Sequence, residues 1–276
     1  MDLKNRHVVV TGGSRGIGAA MARRFAAEGA RVTVVARSAE SLGAIAREID
    51  GNAVVADLSD DTVVDSLIER IETQHGPIDV LVNNAGIETT MPFAVEDERA
   101  IRAVSRINLE VPMLLSRRVL PRMLDRGAGH LVFVSSLAGT AGFPGMAPYC
   151  ATKAGILNFV NALRRELHRS PVNITVLAPG PVDTQMWDNV ENSSPSVTRV
   201  VKRFQRLRLI PKASPTDIAR RTVNAVKRDK PNVRDPRRLS INFWLNAAPT
   251  RISNLAAVGV RFDPRDRGGD APASVD

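Results

Sequence analysis

The sequence predicts an α/β fold: a doubly wound parallel sheet in one domain. Three observations carry the prediction. Short β-branched runs alternate with helical patterns at intervals of about 20–30 residues. A glycine cluster, Gly12-Gly13-Ser14-Arg15-Gly16-Ile17-Gly18, separates the first run from the first helical pattern. The alternation continues across residue 150 without a linker.

Residues 7–11, His-Val-Val-Val-Thr, suit a buried strand. The glycine cluster follows, then a helical pattern over 19–28. A strand, a glycine turn and a helix let backbone approach a pyrophosphate, with the helix N-terminus aimed at it. The spacing Gly-x-x-x-Gly-x-Gly differs from the Gly-x-Gly-x-x-Gly fingerprint, and alone it fits a tight βα turn. In this context Gly12, Ser14, Arg15, Gly16, Ile17 and Gly18 read as a cofactor loop. The second strand, 31–36, ends in Arg37-Ser38, with no carboxylate before Glu40. A carboxylate there would accept from a ribose 2′-hydroxyl. Arg37, aided by Ser38 and Arg15, suits a 2′-phosphate instead, which points to NADP(H) over NAD. Ser38 also suits the N-cap of a helix over 39–49.

The third strand, 52–56, leads to Asp57-Leu58-Ser59. Asp57 is placed to accept from an adenine amino group, and Ser59 to cap a helix that Gly76-Pro77 stops. The fourth strand, 78–82, meets Asn83-Asn84-Ala85-Gly86. Small residues there suit close backbone approach to a ligand. The asparagines either hold the strand end or bond a ribose. A helical stretch over 95–126 contains Asn108, which needs partners if buried, and Pro112, which permits a kink. The fifth strand, 130–134, ends at Ser135-Ser136. A helix over 148–169, a sixth strand over 172–177 and the rigid turn Pro179-Gly180-Pro181-Val182-Asp183-Thr184 complete the regular pattern. Ligands bind outside the carboxyl ends of such strands, and these segments converge there.

Tyr149 and Lys153 are four residues apart and share a face of the helix over 148–169. A phenol titrates near pH ~10. An adjacent ammonium favours the phenolate and is expected to bring that titration toward neutrality. Ser136, thirteen residues before the tyrosine, offers a hydroxyl for the same substrate oxygen. The three form a proton-transfer device for a carbonyl/alcohol pair, which requires a hydride carrier.

Composition bounds the rest. The 276 residues are 43% hydrophobic and 24% charged, which is ample for a large core. The single cysteine, Cys150, excludes an intrachain disulfide, and four scattered histidines lack ligand spacing, so no metal site is expected. No signal-peptide pattern and no apolar run of about 18 residues is present, so a cytoplasmic protein is expected. The net charge of +9 attracts anions in general. Basic residues gather at 199–212, six with no acidic residue, and at 227–238, six with two acidic ones. With 4% aromatics and no nucleic-acid-binding motif, nucleic acid is not an expected partner.

The motifs Thr11-Gly12-x-x-x-Gly16-x-Gly18, Asn83-Asn84-Ala85-Gly86, Ser136…Tyr149-x-x-x-Lys153 and Pro179-Gly180 together resemble the short-chain dehydrogenases/reductases, over roughly residues 5–230. The resemblance implies a Rossmann fold and an oxidoreductase that interconverts a ketone or aldehyde and an alcohol. It implies that Tyr149 is the general acid/base, that Lys153 holds the nicotinamide ribose and lowers the tyrosine pKa, and that Ser136 rather than Ser135 binds the substrate oxygen. Asn108 would hold a water of the proton relay. Asp57 would face the adenine amino group, Val182 and Thr184 the nicotinamide carboxamide, and Leu58, Asn84, Ala85, Gly86, Pro179 and Gly180 would also line the cofactor.

The resulting expectation is a Rossmann domain over 1–245, a helical substrate lid at about 185–212 and an atypical extension over 246–276. The lid rests on an apolar stripe at 197, 200, 201, 204 and 207, with basic residues between. Phe143, Met146, Met186 and Trp187 suggest a lipophilic small-molecule substrate. The tail departs from the family pattern: a last strand is expected over 237–244, an interrupted apolar segment over 245–260, and disorder over 263–276. A homo-oligomer, dimer or tetramer, is expected. The basic stripe also suits peripheral contact with an anionic membrane. Two competing functions are an NADP-binding sensor without turnover and a membrane-associated interaction protein on the same fold.

Overall fold

Short runs of valine, isoleucine and leucine can be buried on both faces, which is the condition for parallel strands. The computed structural model describes residues 1–193, 195–206 and 211–236. Seven strands form one sheet: β1 (His7–Thr11), β2 (Arg31–Ala36), β3 (Asn52–Val55), β4 (Val80–Asn83), β5 (Gly129–Val134), β6 (Val172–Ala178) and β7 (Asn232–Arg234). Their order is β3-β2-β1-β4-β5-β6-β7, and every pairing is parallel. The direction of winding reverses between β1 and β4, so a crevice opens at their carboxyl ends.

Alternate residues of the central strands feed two cores. Val9, Val35, Leu81, Leu131 and Phe133 pack with Leu67, Ile71, Leu115, Val119, Ile156 and Val160. These come from α3 (Asp61–His75), α5 (Val111–Asp125) and α6 (Ala147–Glu166). Val8, Val10, Val32, Val34, Val80 and Val82 face the other way, onto Met21, Phe25, Leu42, Ala219 and Val223. Those belong to α1 (Gly16–Ala27), α2 (Ala39–Glu48) and α9 (Pro215–Lys227). The doubly wound α/β fold read from the sequence is the observed one.

Several local expectations change. α1 starts at Gly16 rather than residue 19, so Gly16, Ile17 and Gly18 form its first turn. The stretch over 95–126 divides into α4 (Glu98–Ser105), a π turn (Arg106–Glu110) and α5. Pro112 stands two residues past the π turn, in the first turn of α5, where its missing N–H disfavours regular α-helical bonding to the turn. Ser38 holds the N-cap position of α2 but makes no capping bond with its side chain. α3 is capped by Asp60, which accepts from Thr62 N at 2.8 Å and Val63 N at 3.5 Å. Ser59, the expected cap, instead donates its hydroxyl to Asp57 at 2.7 Å. Strand β7 has three residues and one buried side chain, Val233, and so left no periodic signal. The last strand expected over 237–244, the apolar segment over 245–260 and the whole extension over 246–276 lie outside the described residues.

The cap assignment is testable by urea unfolding. Asp60→Ala lowers the unfolding midpoint at neutral pH more than Ser59→Ala does. The hydrogen bond from the Thr62 hydroxyl at 2.7 Å, and then those from the Thr62 and Val63 amides, hold the Asp60 carboxyl below the usual carboxylate range. The stabilisation is therefore present above that range and is lost as the pH falls through the depressed titration.

Candidate active site

The Thr11 hydroxyl, at the end of β1, donates to Val82 O at 3.1 Å and accepts from Asn84 N and Ala85 N at 3.0 and 3.1 Å. The Asn84 amide returns the tie, donating to Thr11 O at 2.9 Å and Gly12 O at 3.2 Å. Asn84 thus holds the strand end with its nitrogen, one of the two roles left open for it. Gly12 has φ +64°, and a Cβ there would stand 2.9 Å from the Ala85 backbone. A Cβ on Gly18 would lie 2.1 Å from Gly12 O, so only glycine lets α1 start this close to the turn. Arg15, the N-cap residue of α1, gives the helix no side-chain cap. The first-turn N–H groups therefore suit an anion.

The crevice is a cleft of about 1400 Å³. That exceeds the ~300–1,000 Å³ of a pocket for one small ligand, and leaves room for a dinucleotide and a substrate together. Gly12, Ser14, Arg15, Gly16, Ile17 and Gly18 line one part of it, with Arg37, Ser38, Asp57 and Leu58 beside them. Asn84, Ala85, Gly86, Pro179, Gly180, Val182 and Thr184 line the middle, and Ser136, Tyr149 and Lys153 line it too. Asn108 is the one candidate that does not reach the cleft.

Arg37 is exposed at the end of β2, and its charge helps hold the Asp57 carboxyl low, after the two bonds from Ser59. Asp57 accepts from Ser59 N at 2.9 Å as well as from the hydroxyl.

Pro148 opens the first turn of α6, which then places Tyr149 and Lys153 on one face. Both side chains are buried, at 8% and 4% exposure. Lys153 Nζ donates to Val134 O at 3.0 Å and stands 5.5 Å from the centre of the Tyr149 ring. Ser136 Oγ accepts from Ala138 N at 3.1 Å and lies within donating distance, 3.4 Å, of Pro179 O. Asn108 sits in the π turn behind Gly86. Its amide oxygen accepts from Ile87 N at 2.9 Å, and its nitrogen donates to Ile87 O at 2.8 Å and Thr152 Oγ1 at 3.3 Å. Thr152 Oγ1 donates in turn to Tyr149 O at 2.8 Å.

Burial dominates the titration of the pair. It pushes the Tyr149 phenol up to about 12, against the opposing hydrogen bond with Ser136 and with added repulsion from Glu88. Lys153 is brought down to about 8 by the same loss of hydration. The expectation that Lys153 carries the phenol toward neutrality is therefore corrected: a phenolate stripped of water costs more than the neighbouring ammonium returns. At neutral pH the site holds a protonated phenol beside a mostly charged amine.

Past Tyr149 the cleft becomes apolar. Phe143, Met146, Met186 and Trp187 line it, joined by Ile87, Val190, Val197, Val200 and Val201. The valines come from α7 (Gln185–Glu191) and α8 (Pro195–Arg206). Arg199, Lys202, Arg203 and Arg206 are exposed on the other face of α8. The side chain at position 204 is not described, and position 207 of the stripe lies outside the described residues. Glu88 escaped the reading of the sequence, and Thr11 entered it only as part of a motif, with no role of its own. Thr11 carries no distinguishing chemistry by type, and Glu88 follows a motif that ends two residues earlier. Among the described residues no cluster of three or more His, Cys, Asp or Glu suits a metal, and no helix is long and apolar enough to cross a membrane.

Fold and cleft together define a doubly wound α/β protein with a proton-transfer set beside a glycine-rich turn. The family profile described as short chain dehydrogenase matches residues 6–195. A ketoacyl reductase, HetN, of Nostoc sp. (strain PCC 7120) is 34% identical over 231 residues, 82% of this chain and 76% of its own. The 3-oxoacyl-[acyl-carrier-protein] reductase FabG of Escherichia coli (strain K12) is 34% identical over 189 residues, 67% of this chain and 77% of its own. Among solved structures, a variant of actinorhodin polyketide ketoreductase with NADPH superposes with a TM-score of 0.76 at 27% identity, covering 84% of this chain and 95% of that one. The chain belongs to the short-chain dehydrogenase family of oxidoreductases.

The buried ammonium leads to a stability prediction. Its pKa is depressed, so the charged form penalises the fold below about pH 8, and the penalty fades as the pH rises from there to the ordinary lysine value. Lys153→Met should raise the unfolding free energy at pH 7 by roughly 1–3 kcal/mol. Chemical denaturation at pH 7 and pH 10 checks this, and the gain is smaller at pH 10.

Proposed function

We propose that the protein is an NADP(H)-dependent oxidoreductase that interconverts a ketone or aldehyde with an alcohol on a lipophilic small molecule. The observation that carries the reading is the meeting of Ser136, Tyr149 and Lys153 in one cleft with the Gly12–Gly18 turn. The residues fit a dinucleotide: glycines clear the backbone, α1 begins without a side-chain cap, and Thr184 sits against Gly16 at that helix end. When bound, the nicotinamide supplies or receives the hydride.

The chain's own groups do the remainder. In the reducing direction Tyr149, protonated at neutral pH, donates its phenolic proton to the substrate oxygen. Ser136 donates a hydrogen bond to the same oxygen as it becomes an alkoxide. The ammonium of Lys153 stabilises the phenolate left behind, at the 5.5 Å distance seen to the ring. Asn108 fixes the Ile87 backbone and the start of α6 through Thr152. Pro112 has no N–H to give the Asn108 carbonyl four residues back, so that carbonyl lacks its regular α-helical donor and is the acceptor we assign to a relay water. α7 and α8 turn apolar side chains into the cleft and act as the lid, which keeps bulk water from the reacting carbon.

The preference for NADP(H) rests on Arg37, exposed at the cleft wall, with Ser38, whose hydroxyl makes no capping bond. Arg37→Asp should weaken NADPH relative to NADH at least tenfold in kcat/KM; steady-state kinetics with both cofactors reads the ratio. Tyr149→Phe should keep NADPH affinity, measured by fluorescence titration, and lower kcat by at least a hundredfold. Substantial turnover in that variant would defeat the mechanism.

A further inference from the structure

The proton-transfer set and its apolar pocket leave one charged group unexplained. Glu88 lies two residues past Gly86 and lines the cleft. It is half-buried, and its charge is felt at the Tyr149 phenol. Its chain neighbour Ile87 packs with Phe143, Met146, Tyr149, Trp187 and Val190 in the apolar cluster of the cleft wall. Among the described residues no lysine or arginine forms an ion pair with it. Its one hydrogen bond is from Asn189 Nδ2 on α7, 2.8 Å from Oε1. Asn189 is oriented for this, because its own oxygen accepts from Gln185 Nε2 at 3.2 Å.

The other two acids on the cleft wall do not share this setting. Asp57 is at the Arg37 end and bonded to Ser59. Asp183 is exposed, where its charge acts on Lys212. Of the three, Glu88 alone follows a residue of that apolar cluster, and it alone adds its charge to those acting on the phenol that meets the substrate oxygen. A carboxylate in an apolar wall interacts more strongly than one in water, because the local dielectric is lower. It attracts a cation or a hydrogen-bond donor and repels an anion at the same place.

We propose that Glu88 is a specificity-determining residue, selecting substrates that carry a cationic or hydrogen-donating group beside the reacting carbonyl and rejecting those with an anion there. This deepens the oxidoreductase reading and rests on it. The basic outer face of α8 does not conflict with it. Those side chains act at the rim, where they draw an anionic portion of a ligand, and Glu88 acts at the reacting end.

The test compares three ketones of similar length, bearing a trimethylammonio, a tert-butyl or a carboxylate group two bonds from the carbonyl carbon. The full chain with NADPH and its Glu88→Gln variant are each assayed for reduction and for thermal shift on binding. Glutamine keeps an oxygen for Asn189, so the contact with α7 survives the change. The expected order of kcat/KM is trimethylammonio above tert-butyl above carboxylate, with the cation-to-anion ratio falling at least tenfold in Glu88→Gln. Reduction of all three with the same ratio in both proteins overturns the inference and leaves the oxidoreductase reading standing. A thermal shift that favours the trimethylammonio compound only when Glu88 is present, with no reduction of any ketone, supports the charge selection and removes the oxidoreductase reading. Equal shifts from all three compounds, unaffected by the substitution, also overturn the inference.

Discussion

One hydroxyl joins the two strands on which the cleft is built. β1 and β4 are neighbours in the sheet but are far apart in the chain, and the winding reverses between them. Backbone pairing alone ends with the strands. Beyond it, Thr11 spends both its donor and its acceptor capacity on the β4 end, holding Val82 O, Asn84 N and Ala85 N together. The residue is 2% exposed, and replacing its hydroxyl would take this partner from the half-buried Ala85 amide and leave the Asn84 amide with its bond to Val82 O. From that tie the path is continuous. Ala85 and Gly86 follow, Ile87 is gripped by Asn108, Asn108 reaches Thr152, and Thr152 bonds the carbonyl of Tyr149. The glycine turn and the tyrosine, more than a hundred residues apart, are thereby fixed relative to one another.

The same path explains why the chain tolerates so much buried polarity on one side of the sheet. Asn108 and Thr152 are nearly inaccessible, yet each meets partners with good geometry. Networks that are fully bonded rigidify a core, whereas an unpaired member would cost more than an apolar replacement. Lys153 is the exception: one hydrogen bond to Val134 O does not make up for an ammonium taken out of water. Under the proposed function, the cost of burying this ammonium is offset by its part in the proton transfer. Its depressed titration and the raised titration of Tyr149 have one origin, the dry environment they share. In that environment a proton leaving the phenol creates two adjacent opposite charges, and their attraction is least screened.

Much of the fold was legible because its signals are local and redundant. β1, β2 and β6 are runs of valine and isoleucine, and the turns between elements carry glycine or proline, so strand order in the chain follows from pattern alone. The cleft candidates were legible because a parallel sheet puts all its strand ends at one edge, whatever each residue is doing. What failed were choices decided by a few hydrogen bonds. Asp60 and Ser59 are both good caps by type, and only the turn geometry gives the role to Asp60. The π turn at Arg106–Glu110 has no composition of its own; Pro112 announces an irregularity without its form. Spacing predicted an ammonium beside a phenol, but the balance between attraction and lost hydration depends on burial, which no spacing encodes.

The two halves of the cleft differ in kind, and the difference accounts for the helices that cover it. At the Gly12–Gly18 end the wall is backbone and exposed polar side chains, suited to a ligand that stays partly hydrated. At the Phe143 end the wall is apolar side chains, several from α7 and α8. A helix that turns Val197 and Val201 inward and Lys202 and Arg203 outward serves both surfaces at once. In the proposed mechanism the inward face removes water from the place where charge develops. The outward face contributes to the +9 of the whole chain, and its field acts at long range on anything anionic that approaches the opening. Long-range attraction is screened by salt over about 8 Å at physiological ionic strength, while the interior interactions are screened far less. Under the proposed function, capture at the rim and proton transfer at Tyr149 are therefore governed by separate charges, and a change in salt acts on the first while leaving the second nearly untouched.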